Sequence, residues 1–308
     1  VTFRVLGDLS ADGMPLTANR DRVVLAMLLM NAGRTVSAAT LIEAVWGEDP
    51  PPTVRTQVQT CVSRLRGSLP SGTIHTTPQG YRLEVGPEHL DLLRWNSLLT
   101  AARATANPGE RAGLLRRALD LWQGPAATGV DSDLVQVLAA SLDDQHATTV
   151  EAWAGLRIAD GEAAEVLEDL SAAVARHPLR ETLRERLIAA LHATGRMADA
   201  LAEYRRFRSL LREELGVEPG AELQEAHRRI LVGDPPPVRR PSRPRPAARS
   251  RQWTAKRSTH RHRHGRYSAT ATSCTVTWLI LASGWLMLRA RVSPVSAGLA
   301  APGRTGGS

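Results

Sequence analysis

Three consecutive prolines, Pro50-Pro51-Pro52, lie between two helix-like patterns near the start of this 308-residue chain. Proline fixes φ, removes a backbone donor and drives the preceding residue out of the helical region. The segments on either side must therefore be two separate helices joined by a stiff connection. Before the prolines, Leu41, Ile42, Val45 and Trp46 recur at helical spacing, with Ser37 as the expected cap and Gly47 as the stop. After them, Val54, Val58, Val62, Leu65 and Leu69 form one apolar stripe over residues 54–69, with Thr53 as the expected cap.

The flanks extend this pattern. Residues 3–8 and 14–17 read as short extended segments around an Asp12-Gly13 turn. VVLAMLLM, residues 23–30, is apolar on nearly every side, which suits a fully buried helix capped by Asn19 and ended by Asn31-Ala32-Gly33. TIHTTPQGYRLEV, residues 73–85, reads as two strands about a Pro-Gln-Gly turn. Strand pair, three helices and hairpin make an α+β winged helix-turn-helix over residues 1–86.

Residues 88–234 are helical by pattern. The expected breaks are Asn107-Pro108-Gly109, Gln123-Gly124-Pro125, Asp160-Gly161, His177-Pro178, Thr194-Gly195 and Gly216–Gly220. Their spacing approaches that of helical-hairpin repeats of about 34 residues, so an all-α domain resembling tetratricopeptide repeats is expected.

From residue 235 to 308 the composition changes. Residues 238–308 hold 14 of the 39 Lys and Arg and none of the 31 Asp and Glu, so residues 1–237 carry 25 basic against 31 acidic residues, a net of −6. The overall charge of +8 belongs to the tail, and a basic isoelectric point does not by itself argue for nucleic acid here. Three readings of the tail are open: a frame-altered or truncated product, a disordered basic tail adding nonspecific DNA affinity, or a membrane span at the uncharged residues 268–288. His260, His262 and His264 lack companion ligands and read as part of the polar run. Two cysteines, Cys61 and Cys274, without metal spacing, and no apolar N-terminal run behind a basic start, point to a reducing, cytoplasmic setting. A membrane partner is not expected.

The third helix carries the sharpest chemistry. A major groove admits one helix, and arginine and glutamine suit base edges. Arg55, Gln57, Gln59, Thr60, Ser63, Arg64 and Arg66 occupy its polar side. The hairpin behind it offers His75, Thr76, Thr77, Gln79 and Arg82 for phosphate or minor-groove contact. Tyr81 and Trp46 read mainly as core, with the Trp46 indole N–H available to a phosphate. The same helical face also suits a merely solvated surface, and a scaffold that binds a partner protein is the competing reading. No nucleophile, base or metal constellation emerges, so no enzyme and no cofactor are expected.

VSAATLIEAVWGEDPPPTVRTQVQTCVSRLRGSL followed by TPQGYRLEV resembles the OmpR-type DNA-binding domain, in the variant found in the Streptomyces antibiotic regulatory protein (SARP) family. RRALDLWQGPA, HPLRETLRERLIAALHATGRMADALAEYRRFRSLLREELGVEPGAEL and EAHRRIL are similar to that family's bacterial transcriptional activation domain. The resemblance covers about residues 3–234. It implies an activator that binds tandem direct repeats of double-stranded promoter DNA near the −35 region, self-associates there and recruits RNA polymerase. It further implies that Arg64 contacts a base and Arg66 a phosphate, and that Ser63 and Trp46 contact the DNA backbone. The family's wing often carries arginine where this chain has Thr77, which shifts the expected contact towards Arg82. Larger members continue into an NB-ARC-type ATPase, but no GxxxxGK[ST] motif is present here, and no phospho-acceptor receiver is expected ahead of the winged helix.

Overall fold

The computed structural model describes residues 1–13 and 15–233. The tail 235–308, with the candidate span 268–288, Cys274 and the three spaced histidines, lies outside the described residues, as does Met14. Among the described residues, no helix is long and apolar enough to cross a membrane.

The first half forms around α1, Asn19–Met30, whose residues Val23–Leu29 are all buried. A helix apolar on every side needs neighbours on every side. Here α2 (Ala38–Trp46) and α3 (Val54–Ser68) pack against it. Ser37 caps α2 as expected, its Oγ accepting from Thr40 N at 2.9 Å. The stripe on α3 faces inward through Val58, Val62, Leu65 and Leu69, with Cys61 buried beside it and Val54, in the first turn, half-buried. Strands β4 (Ile74–Thr77) and β5 (Gly80–Leu83) form the expected hairpin. Strand β3, Thr35–Ser37, adds a third, antiparallel strand on the other edge of β5, pairing Val36 with Tyr81. Gly80 is required there: an added Cβ would stand 2.0 Å from Val36 O.

Three local expectations fail. The first strand pair is β1, Phe3–Arg4, with β2, Ser10–Ala11. The chain thus reverses before Asp12-Gly13, not at it. Asn19 is the first helical residue and not the cap. Its Nδ2 donates to Asp131 O at 3.3 Å in the second half. Thr53 precedes α3 but does not cap it, because its Oγ1 accepts from Gln57 Nε2 instead.

The second half is all helix: α4 (Asp91–Ala104), α5 (Pro108–Leu119), the 28-residue α6 (Asp133–Asp160), a 3-10 turn (Ala163–Val166), α7 (Leu167–Arg176), α8 (Glu181–Ala193), α9 (Met197–Glu214) and α10 (Ala221–Val232). Asn107 caps α5 and Ser132 caps α6, while Gly161, at φ 89°, ends α6 in the left-handed region. Successive helices pack as hairpins.

The two halves share one continuous apolar core. Residues 3–9 are held between the start of α4 and the loop after α5. Phe3 N donates to His89 O at 2.7 Å, and Ala127 N and Gln123 N donate to Val5 O and Leu6 O at 2.8 and 2.9 Å. The Asp91 carboxylate accepts from Val5 N and Leu6 N. Ser132 Oγ reaches across to Ala44 O on α2 at 2.6 Å.

Candidate nucleic-acid interface

The outward side of α3 follows from its buried side. At 3.6 residues per turn, burying Val58, Cys61, Val62 and Leu65 turns Thr56, Gln59, Thr60 and Ser63 to solvent, and all four are exposed. Arg55 and Arg64 are also exposed, but nine residues separate them, about two and a half turns. They occupy opposite shoulders of the helix rather than one surface.

Each shoulder has its own neighbour. On one, Arg66 binds α3 to the hairpin: Nε donates to Ile74 O at 3.0 Å and Nη2 to Thr76 Oγ1 at 2.8 Å. The guanidinium lies 5.9 Å from the centre of the Tyr81 ring. On the other shoulder stands the first turn of α1. Arg64 Nη2 donates to Asp21 Oδ1 at 2.7 Å, and this pairing holds the Arg64 guanidinium even more firmly charged than usual. Cys61 Sγ lies 3.5 Å from the same nitrogen; burial pushes that thiol up to about 11, so it sits there as a neutral group. Arg20 Nη1 donates to Gln57 Oε1 at 2.7 Å and its guanidinium lies 5.3 Å from the centre of the Trp46 ring.

The sequence-derived residues thus divide. Arg55, Gln59 and Ser63 on α3 and Gln79 at the hairpin tip are exposed and make no side-chain hydrogen bond among the described residues. Thr60 Oγ1 donates back to Thr56 O within the helix. Gln57 is engaged at both ends, with Arg20 and Thr53. Thr76 accepts from Arg66, and Thr77 Oγ1 accepts from Gly80 N at 3.2 Å, closing the tip. His75 Nε2 and Arg82 Nη2 both reach Glu84, at 3.2 and 2.5 Å. Trp46 Nε1 is buried without a hydrogen-bond partner among the described residues, so an indole contact to phosphate requires the ring to move.

Sequence reasoning passed over Arg20, Asp21 and Glu84. The charged NRDR opening of α1 was a visible signal, since charge immediately before a fully apolar helix needs somewhere to go. Glu84 carried one as well: it lies two residues from Arg82, so both side chains emerge on the same face of β5 and its continuation.

Comparison with known proteins gives the family. Residues 14–83 match the transcriptional regulatory protein C-terminal domain, and residues 90–231 match the bacterial transcriptional activator domain. The transcriptional regulator RedD of Streptomyces coelicolor is 34% identical over 250 residues, covering 76% of this chain and 71% of RedD. The chain belongs to the Streptomyces antibiotic regulatory protein family. Within that family, the regulatory protein DnrI of Streptomyces peucetius is 32% identical to this SARP chain, which covers 93% of DnrI. The regulatory protein AfsR of Streptomyces coelicolor is 41% identical over 241 residues, but those are 24% of AfsR, so this SARP chain spans about a quarter of that relative. A solved structure of Mycobacterium tuberculosis EmbR in complex with a low affinity phosphopeptide superposes with a TM-score of 0.68 at 34% identity, covering 76% of this SARP chain and 65% of EmbR.

Proposed function

We propose that this SARP chain is a transcriptional activator, without enzymatic activity, that binds double-stranded promoter DNA in the cytoplasm. The observation that carries this reading is the joint exposure of Arg55, Gln59 and Ser63 on α3 beside a hairpin fastened to the same helix by Arg66. In the proposed docking, the crest of α3 enters the major groove and the hairpin tip, led by Gln79, reaches the flanking backbone. Arg55 and Arg64, on opposite shoulders, face the two walls or base edges of that groove. The residues proposed to touch DNA are Arg55, Gln59, Thr60, Ser63, Arg64, Gln79 and, after release from their internal partners, Arg66, Arg82 and His75. Gln57, Thr76, Thr77 and Trp46 support the surface.

Binding as neighbouring copies on direct repeats, and contact with RNA polymerase through the helical half, complete the proposal. The rim between α2 and α6 favours a protein partner with a basic surface. Glu43, Glu48, Asp131 and Asp133 ring an open cleft of about 710 Å³ there, beside the exposed Val137, and none of the four forms an ion pair among the described residues.

Gel-shift titration against duplexes selected from a random pool tests the DNA reading. Affinity should fall steeply between about 50 and 200 mM salt, and joint replacement of Arg55 and Gln59 by alanine should reduce preference for selected over scrambled duplex by ~10-fold or more. Salt-insensitive binding would favour the scaffold reading, and a double variant that still discriminates would remove Arg55 and Gln59 from the reading surface.

A further inference from the structure

The first turn of α1 takes no part in the docking proposed above, yet it grips the shoulder of α3 at two points, through Arg20 on Gln57 and Asp21 on Arg64. The second pairing is asymmetric. The Asp21 side chain is 14% exposed and fixed in the first turn of a buried helix, whereas the Arg64 side chain is 54% exposed. Asp21 is therefore the anchor and Arg64 the moving part. Among the described residues, Arg64 bonds only through Nη2, to Asp21 and Cys61, which leaves Nη1 and Nε directed to no protein partner.

An unrestrained arginine has many rotamers and a full positive charge. It is drawn to any phosphate and must be ordered before it can read a base edge. A carboxylate on one amino group changes both properties. It fixes the plane of the guanidinium, and it cancels much of the long-range attraction while leaving directional N–H donors free.

We propose that Asp21 is a positioning residue for DNA recognition: it holds Arg64 as a directional base reader and suppresses its general attraction to phosphate. This rests on the DNA-binding reading above. It assigns specificity to a residue on a helix that stands behind the recognition surface.

The test uses the full chain with two variants, Asp21→Ala and Asp21→Asn, and two probes. The probes are a duplex enriched by the wild-type chain from a random pool and a scrambled duplex of the same composition. For Asp21→Ala, affinity for the scrambled duplex should rise and the slope of log affinity against log salt should steepen by about 1, as one more cation meets phosphate. The ratio of selected to scrambled affinity should fall by ~2–10-fold, the cost of ordering one long side chain. Asp21→Asn keeps an acceptor oxygen of the same size. It should show the steeper slope while retaining most of the discrimination, and it covers the case in which the alanine variant fails to fold. Adding Arg64→Ala to Asp21→Ala should abolish the change in slope. A purely structural role would weaken both duplexes together and leave the slope unaltered, and that result overturns the proposal. Wild-type values in both variants overturn it too, with the DNA reading intact. If the wild-type chain enriches no duplex, the DNA reading itself fails, and the role of Asp21 falls with it.

Discussion

Replacing Asp91 by alanine should uncouple the two halves of the protein. One carboxylate accepts from Val5 N at 3.1 and 3.0 Å, from Leu6 N at 3.0 Å and from Leu92 N at 2.7 Å. Val5 and Leu6 are 0% and 1% exposed, so water cannot replace the lost acceptor. An orphaned buried donor costs about 1–3 kcal/mol. The two long-range donors therefore set a loss of roughly 2–6 kcal/mol. Burial works against the carboxylate, and its pKa lies above the ordinary value because desolvation outweighs the backbone bonds. That unfavourable burial disappears with the side chain, which brings the expected net loss to about 2–4 kcal/mol. Domains commonly have about 5–15 kcal/mol of stability, so the effect is large. Urea unfolding at pH 7, followed by tryptophan fluorescence and by far-ultraviolet circular dichroism, measures it. Asp91→Ala should lower the midpoint and separate the two signals, because the first half loses its hold on α4. Asp91→Asn, which keeps one acceptor oxygen, should lose less. A stability for Asp91→Ala within about 0.5 kcal/mol of wild type, inside the range of an ordinary surface change, would refute the reasoning.

Three further outcomes follow from particular contacts. His146 is buried against Trp122 and Arg176, and burial first, then Arg176, lowers its pKa to about 3. The unfolded chain thus takes up its proton near pH 6.5 while the folded chain does not, and stability should fall as pH drops from about 6.5 towards 3, by about 2 kcal/mol at pH 5. His177 and His227 shift in the same direction, so His146→Phe should flatten the pH profile of urea unfolding without levelling it. Glu84→Gln should release Arg82 and His75 in the hairpin and steepen the salt dependence of DNA binding by up to about 1 in slope; an unchanged slope would show that the hairpin stays off the phosphates. Gly80→Ala should cost about 3 kcal/mol or more, since its Cβ would stand 2.0 Å from Val36 O, and a melting temperature equal to wild type would exclude the close β3–β5 approach.

Local chemistry was the legible part of this fold. The prolines, the apolar stripe of α3, the Ser37 cap and the break at Asp160-Gly161 all act within a few residues, and each appears where its pattern placed it. Contacts between distant segments were not legible. Strand β3 exists because β5 arrives more than forty residues later and offers a free edge. Asn19 leaves its capping role because Asp131 O comes within reach from the second half. At the candidate site, sequence supplied the exposed polar residues but not their internal partners. Arg66 acts as a fastener as well as a candidate contact because the hairpin folds back onto α3, and Arg64 meets Asp21 only after α1 packs alongside. The opposite placement of Arg55 and Arg64 was available from helical spacing alone, since nine residues cannot return to the same side.

The most direct test of α3 as the reading element is methylation interference. Dimethyl sulfate modifies guanine N7 in the major groove and adenine N3 in the minor groove. A selected duplex methylated sparsely at these atoms is incubated with the full chain, and bound and free fractions are compared base by base. Insertion of α3 predicts that bound DNA is depleted of N7-methylguanine within each repeat, and that Arg55→Ala or Arg64→Ala relieves the depletion at particular guanines. Equal N7 methylation in both fractions, with binding intact, would contradict a helix in the major groove.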